Sequence, residues 1–165
     1  MKQAGQSIVH PIPPLYDSHS RVLVLGSFPS VKSREAEFFY GHPQNRFWRV
    51  LAAVYDCPVP LSVPEKRALL LENGIALWDV IASCEIVGSA DSSIRNVRPN
   101  DLGEILSGAP IERILLNGRT AEKYYNQYLR REIECEAICL PSTSPANAAW
   151  SVERLATAWR AALQR

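Results

Sequence analysis

The stretch FFYGHPQNRFWRV, at residues 38–50, combines polar groups that could do chemistry with a high density of aromatic rings. Asn45 and Arg46 follow a Gly-His-Pro turn and precede an apolar run of helical period. Asn45 is therefore either a helix N-cap or, beside a crevice, an amide that holds a water and polarises a leaving group. Residues 38–40 are either core aromatics or a stacking surface for a planar base.

Two loops rich in Ser and Pro offer groups that could grip a phosphate or a planar heterocycle. The first, GSFPS at residues 26–30, opens with Gly26 and Ser27, which permit close approach to the backbone, and its Pro fixes the turn. The second, LPSTSPAN at residues 140–147, carries hydroxyl and backbone N–H donors on Ser142, Thr143 and Ser144. Each loop alone is also compatible with an ordinary strand-to-helix turn.

Short apolar runs typical of strands alternate along the chain with segments of helical period. This alternation predicts a mostly parallel sheet with helices on both faces. The aperiodic segment 83–100 is expected to be a long functional loop, and residues 1–20 a Pro-rich arm or short tail. Compact apolar runs predict strands at 21–28, 75–82, 111–118 and 135–142, and helical patterns span 45–54, 64–73, 101–106, 120–129 and 150–163.

Ligands of parallel α/β sheets bind beyond the carboxyl ends of the strands. The first predicted strand runs into residues 26–30, the second ends near Asp79, the third at Asn117, and the fourth runs into residues 140–147. Because these ends meet at one edge of a sheet, the sequence predicts a crevice lined by two Ser/Pro loops, an Asp and an Asn.

Composition and charge are those of one soluble domain of 165 residues, residues 1–165, with a formal net charge of +1 that excludes neither nucleic acid nor a small substrate. No apolar run is long enough to span a membrane and no secretory signal is recognisable, so a cytoplasmic location is expected. We also expect a monomer. The four cysteines form no C-x-x-C pair, and we expect reduced thiols rather than a metal or cluster site.

These motifs together resemble the uracil-DNA glycosylase superfamily, and more narrowly its DNA-deoxyinosine (hypoxanthine-DNA) glycosylase family. GSFPS, the block FFYGHPQNRFW and the late LPSTSPAN occur in the family's order, and the similarity spans most of the chain. The resemblance implies a three-layer α/β/α sandwich with a four-stranded parallel central sheet. It also implies hydrolysis of the N-glycosidic bond of deaminated bases, chiefly hypoxanthine, in DNA, with no metal or cofactor.

The resemblance also implies roles for individual residues. Asn45 of the His-Pro-x-Asn block would be the catalytic amide, and Tyr40 would stack on the base. The other expected base contacts are Gly26, Ser27, Phe28, Asp79 and Asn117, and the expected DNA contacts are Ser30, Lys32, Arg46, Arg98, Ser142, Thr143, Ser144 and Asn147.

The chain departs from its relatives at several positions. Phe28 stands where mismatch-specific members carry an Asn, and residues 26–30 contain no Asp of the kind found in uracil-specific members. Leu140 replaces a His, and Ser144 replaces an apolar wedge. Three alternatives stay open: excision of uracil by the same fold, a noncatalytic damaged-DNA or nucleotide-binding module, and a hydrolase of free nucleosides.

Overall fold

The structure is a computed structural model that describes residues 5–164. Among these residues no helix is long and apolar enough to cross a membrane. The strands are β1 (Gln6–Val9), β2 (Val22–Gly26), β3 (Ile75–Asp79), β4 (Ile81–Ile86), β5 (Arg95–Pro99), β6 (Arg113–Asn117) and β7 (Glu136–Leu140). The α-helices are α1 (Val31–Ala36), α2 (Phe47–Val54), α3 (Val63–Glu72), α4 (Gly103–Gly108), α5 (Arg119–Tyr128) and α6 (Val152–Leu163).

The central sheet has four parallel strands in the order β3-β2-β6-β7, which confirms the predicted fold class. Its central strand β2 is buried at every position, as a continuous apolar run between covering layers requires. Gly26 pairs with Asp79, and Asn117 pairs with Leu140. All four carboxyl ends therefore lie at one edge of the sheet, where the sequence predicts a crevice.

Helices on the two faces of this sheet bury separate apolar clusters. Val22 and Val24 point into one cluster, together with residues of α2, α3 and α6. The largest fully buried side chain of this cluster is Trp159. Leu23 and Leu25 point into the other, with α4, α5 and part of a smaller sheet. The alternation follows from the two-residue period of a strand, and burial of both faces supplies most of the drive for folding.

The smaller sheet corrects two predictions from the sequence. It is antiparallel, in the order β1-β4-β5. The strand predicted at residues 75–82 is two strands, because β3 ends at Asp79 and β4 starts at Ile81 in the other sheet. The segment 83–100, predicted as a loop, contains the rest of β4, a 3₁₀ turn at Asp91–Ser93 and β5. Its pairing depends on partners distant in sequence, which periodicity does not reveal.

The N-terminal arm, predicted at residues 1–20, is ordered where the structure describes it. Residues 1–4 of that prediction lie outside the described residues. Strand β1 pairs with β4, and Leu15 forms a bridge with Leu77 at the edge of the central sheet. The arm therefore joins the two sheets.

Two helix boundaries near the crevice differ from the sequence prediction. Helix α2 begins at Phe47, two residues later than predicted, because Arg46 is its N-cap residue. Helix α1, which the sequence analysis did not predict, begins after Ser30, whose hydroxyl accepts the N–H of Ser33. Both short helices begin at the edge of the sheet where the strands end.

Candidate active site

A pocket of about 530 Å³ lies at the carboxyl edge of the central sheet. It is bounded by the loop after β2, the aromatic stretch before α2, the ends of β3 and β6, the 3₁₀ turn at Asp91–Ser93 and the loop after β7. Of the residues that the sequence predicted for the site, the lining contains Gly26, Ser27, Phe28, Ser30, Tyr40, Asn45, Asp79, Asn117, Ser142, Thr143 and Ser144.

The amide of Asn45 has a single orientation. Its Oδ1 accepts the backbone N–H of Phe47 at 2.9 Å and the hydroxyl of Thr143, also at 2.9 Å. A backbone N–H is always a donor, so the oxygen of the amide must face Phe47 and the NH₂ group must point the other way. Both lone pairs of Oδ1 are used, and Asn45, which lines the pocket, can act there only as a donor.

Asn117 holds Thr143 and Tyr40 in place around that amide. The N–H of Thr143 donates to Asn117 Oδ1 at 3.0 Å, which fixes the orientation of the Asn117 amide. Its Nδ2 donates to the Tyr40 hydroxyl and to Thr143 Oγ1, each at 3.0 Å. Both amide hydrogens of Asn117 are thus committed within the protein. The Thr143 hydroxyl then has its own hydrogen left for Asn45.

Tyr40 occupies the left-handed backbone region, with φ 51°, and its ring stacks on Phe47 at 4.1 Å between centroids. This conformation is unfavourable for a residue other than Gly, and such strain is typical of functional sites. Burial, and then the charge of Asp79, raise the pKa of Tyr40 far above its ordinary value. The hydroxyl therefore stays protonated.

Arg46 clamps the late loop from inside the protein. Its guanidinium donates to the carbonyls of Ser144 at 2.8 Å, Asn147 at 3.0 Å and Trp150, and its Nε to that of Thr143 at 3.4 Å. Four of its five N–H groups are thus committed to carbonyls of one loop, which holds Thr143 against Asn45. A contact of Arg46 with DNA, predicted from the sequence, remains a prediction.

Arg46→Lys is expected to loosen this loop, since one ammonium group cannot reproduce the planar fork. Losing hydrogen bonds from a charged donor should lower the free energy of unfolding by about 1.5–3 kcal/mol. Thermal or urea unfolding of the two proteins measures this change in the free energy of unfolding. Arg49→Lys is the matched control, because Arg49 is exposed and makes one long bond at 3.4 Å, so its change should stay within about 0.5 kcal/mol. Equal effects of the two substitutions would contradict the clamp.

The floor of the pocket holds a carboxylate that the N-terminal arm supports. Asp79 Oδ2 lies 2.8 Å from His10 Nε2, and the two side chains are 6 % and 3 % exposed. His10 Nδ1 accepts the N–H of Ile12 at 3.1 Å. Because Nδ1 is an acceptor, the ring is neutral, carries its hydrogen on Nε2 and donates it to Asp79. Asp79 therefore receives a hydrogen bond from a neutral imidazole at a site that is nearly free of water.

Gly26 makes room for this carboxylate. A Cβ at this position would lie 2.5 Å from Asp79 Oδ1 and 3.0 Å from the Tyr40 hydroxyl. Only a residue without a side chain lets the end of β2 approach the end of β3 so closely. Phe28 packs its ring edge-on to His10 at 5.8 Å between centroids, so the first loop closes over the supporting histidine.

A second carboxylate, Asp91, lies at the mouth of the pocket. Ser27 Oγ donates to Asp91 Oδ1 at 3.3 Å, which ties the 3₁₀ turn to the first loop. The residue is exposed, but its carboxyl group turns toward the loop, and the loss of surrounding water raises its pKa. The hydroxyls of Ser27 and Thr120 oppose that rise in pKa, and the negative charge of Asp79 adds to it.

Comparison with known proteins identifies the family. The family model for the uracil DNA glycosylase superfamily matches residues 13–163. The chain belongs to the uracil DNA glycosylase superfamily. A hypoxanthine DNA glycosylase of Methanosarcina acetivorans is 35 % identical over 144 residues, covering 86 % of this chain and 90 % of the relative. One from Methanosarcina barkeri is 30 % identical over 155 residues, covering 93 % and 96 %.

A solved structure agrees with this placement in the uracil DNA glycosylase superfamily. It is a solution NMR structure described as that of a candidate uracil DNA glycosylase from Methanosarcina acetivorans. The two chains are 32 % identical with a TM-score of 0.81, and the match covers 95 % of this chain and 98 % of the other. The three-layer fold of the superfamily is therefore the fold of this chain.

Within this superfamily fold, the predicted DNA-contacting residues lie in different places. Ser142 and Asn147 brace the late loop, since Ser142 Oγ accepts the N–H of Ser144 and Asn147 Nδ2 donates to the carbonyl of Ser142. Lys32 is exposed on α1 and lies 3.8 Å from Glu35, and Arg98 is exposed on β5. Lys32, Arg98 and Asn147 lie outside the pocket lining, and their contacts with DNA remain predictions.

Sequence reasoning for this superfamily member missed two residues of the site. His10 reaches Asp79 because β1 pairs with β4, and the sequence of the arm contains no pattern that predicts this pairing. Asp91 lies in the segment predicted to be a functional loop, without a motif to distinguish it from neighbouring polar residues. Among residues 5–164, no three His, Cys, Asp or Glu side chains form a group that could hold a metal ion.

Proposed function

We propose that the chain is a monofunctional DNA glycosylase that hydrolyses the N-glycosidic bond of deaminated bases, chiefly hypoxanthine, in DNA. The observation that carries the proposal is the Asn45 amide, held with its NH₂ group free beside a pocket with an aromatic wall and a charged floor. The similarity to two proteins named hypoxanthine DNA glycosylase supports the same substrate. DNA is the partner and the working form is a monomer in the cytoplasm, where four free thiols stay reduced.

The pocket takes a base that has left the duplex. Removal from the stack costs a few kcal/mol, least for a mispaired base such as hypoxanthine. Tyr40 stacks on the extruded base. Asp79 accepts the N1–H of hypoxanthine with the oxygen that His10 leaves free, Oδ1. Adenine presents a bare N1 at that position, so its lone pair would face a carboxylate.

Asn45 acts on the leaving base. Cleavage places positive charge on the sugar and negative charge on the departing base. A donor that is already oriented stabilises the negative charge without reorganising during the reaction. Thr143, Asn117 and Arg46 supply that orientation through the contacts described above.

Contacts with the DNA backbone come from the rims of the pocket. Ser30 and the hydroxyls of Ser142 and Ser144 lie on these rims. The Ser142 and Ser144 hydroxyls accept backbone N–H groups of their own loop and keep their hydrogens for phosphates. Lys32 and Arg98, both exposed, would contact phosphates further along the strand. These contacts position the duplex and carry no sequence preference.

Substrate selectivity tests the proposal. Oligonucleotides that carry inosine, uracil, xanthine or adenine at one position are incubated with excess protein and then treated with alkali, which breaks the strand at abasic sites. We expect clear cleavage at inosine and weak or absent cleavage at uracil, because Phe28 replaces the amide or carboxylate of uracil-excising relatives.

Three results would contradict the proposal. Equal single-turnover rates on inosine and uracil would favour the broader alternative, uracil excision by the same fold. Binding of inosine DNA without an alkali-labile product would favour a noncatalytic damaged-DNA module. Hydrolysis of free deoxyinosine, but not of DNA, would favour a nucleoside hydrolase.

A further inference from the structure

Hydrolysis needs an acceptor that orients the attacking water, and two polar side chains near the base do not supply it. Asn45 Oδ1 is filled by the Phe47 N–H and the Thr143 hydroxyl. Asp79 lies at the floor, 4 % exposed, with one oxygen bound to His10. The anomeric carbon of the sugar is closer to the mouth than the base edge is, so an acceptor for this water must lie nearer the mouth.

Asp91 meets this geometric requirement. The carboxylates in the described lining of the pocket are those of Asp79 and Asp91, and Asp91 is the exposed one. Its tie to Ser27 places it beside the first loop. Residues 26–30 contain neither Asp nor Asn. The 3₁₀ turn at Asp91–Ser93 thus brings a carboxylate to a loop that has none.

The position of this charge argues for a chemical role. A negative group at the mouth of a pocket that receives DNA repels the phosphates on either side of the extruded nucleotide. Within residues 5–164, no Lys or Arg forms an ion pair with Asp91, and the side chains that stabilise its negative charge are the hydroxyls of Ser27 and Thr120. A carboxylate there weakens binding unless it stabilises something positive, and the sugar becomes positive as the base leaves.

We propose that Asp91 is the second catalytic residue of this glycosylase, the carboxylate that orients the water and faces the cationic sugar. The C1′–N9 bond breaks with its electron pair staying on the base, and the water oxygen bonds to C1′. One water proton passes to Asp91 and then to solvent, and the base nitrogen takes a proton from solvent. The products are free base and an abasic site with a hydroxyl at C1′.

This inference rests on the proposed glycosylase function, and one experiment separates the two. Wild type, Asp91→Asn and the control Asp56→Asn are compared on inosine duplex DNA for single-turnover cleavage, for affinity and for melting. Asp56 is an exposed acid in the turn after α2, at the end of that helix remote from the pocket. We expect Asp91→Asn to melt like wild type and to lose at least about 100-fold in rate, the scale of one general base.

The affinity of Asp91→Asn for the inosine duplex distinguishes a catalytic role of Asp91 from a structural one. Because the substitution removes a repulsive charge, Asp91→Asn should bind the duplex about threefold or more tightly at low salt while cleaving it slowly. Asp56→Asn should change neither quantity. A native cleavage rate, or a rate and affinity that fall together, would overturn the role of Asp91 and leave the glycosylase function intact. Failure of the wild-type protein to release base would remove both proposals.

Discussion

Asn45→Ser is expected to leave the protein folded while reducing single-turnover cleavage of inosine DNA by about 100-fold or more, the scale seen when one transition-state donor is removed. The serine hydroxyl can still accept the Phe47 N–H that Asn45 Oδ1 accepts at 2.9 Å. Its side chain is too short to reach a base in the pocket. Affinity should stay within about tenfold, because the stacking wall and the cations remain.

The matched control for this substitution is Asn126→Ser. Asn126 is exposed on α5 and accepts one bond from Arg130 at 2.9 Å. It should change neither rate nor melting. If Asn45→Ser cleaves at close to the native rate, Asn45 only stabilises the turn before α2, and the donor for the leaving base must be another group of the pocket.

Asp79→Asn should reverse the hydrogen-bonding character of the pocket floor. His10 must still donate from Nε2, because its Nδ1 accepts the N–H of Ile12. The new amide would therefore turn its oxygen toward His10 and its NH₂ group toward the base. That donor would meet the N1–H of hypoxanthine, another donor, but would suit the bare N1 of adenine. Sites built around a hydrogen bond discriminate strongly against such mismatches.

We expect Asp79→Asn to lower single-turnover hypoxanthine excision by about 100-fold or more. The preference for inosine over adenine in duplex binding should shrink at the same time. Parallel melting curves check that the buried pair with His10 has not become a folding defect. Unchanged selectivity between the two bases would mean that Asp79 serves the fold rather than the substrate.

Much of the fold could be predicted because its signals are local. The short apolar run of β2, which ends at a Gly, is typical of a buried strand, and Pro64 near the first turn marks the start of α3. The predicted strands gave the positions of their carboxyl ends, and these ends bring Gly26, Asp79 and Asn117 to one edge of the sheet. The smaller sheet could not be predicted, because β1 and β4 are about 75 residues apart along the chain and pair through backbone groups.

The sequence predicted several residues of the site but not the hydrogen bonds that join them. Sequence and resemblance pointed to Asn45, but the direction of its amide depends on Thr143, 98 residues away. Arg46 is adjacent to Asn45 and carries a charge, which predicted a phosphate contact. Its hydrogen bonds to the carbonyls of a loop about 100 residues later could not be predicted. Such long-range polar contacts have no periodicity and are visible only in the folded chain.

Direct detection of the released base tests the central claim, that a fixed Asn45 amide drives removal of hypoxanthine from DNA. Wild-type protein and Asn45→Ser are each incubated in excess with an inosine duplex, and the free base and the abasic strand are quantified by mass spectrometry. We expect equal amounts of hypoxanthine and abasic strand from the wild type, and at least about 100-fold slower release from Asn45→Ser. Strand-bound hypoxanthine that persists with saturating wild-type protein, or equal release by both proteins, would contradict it.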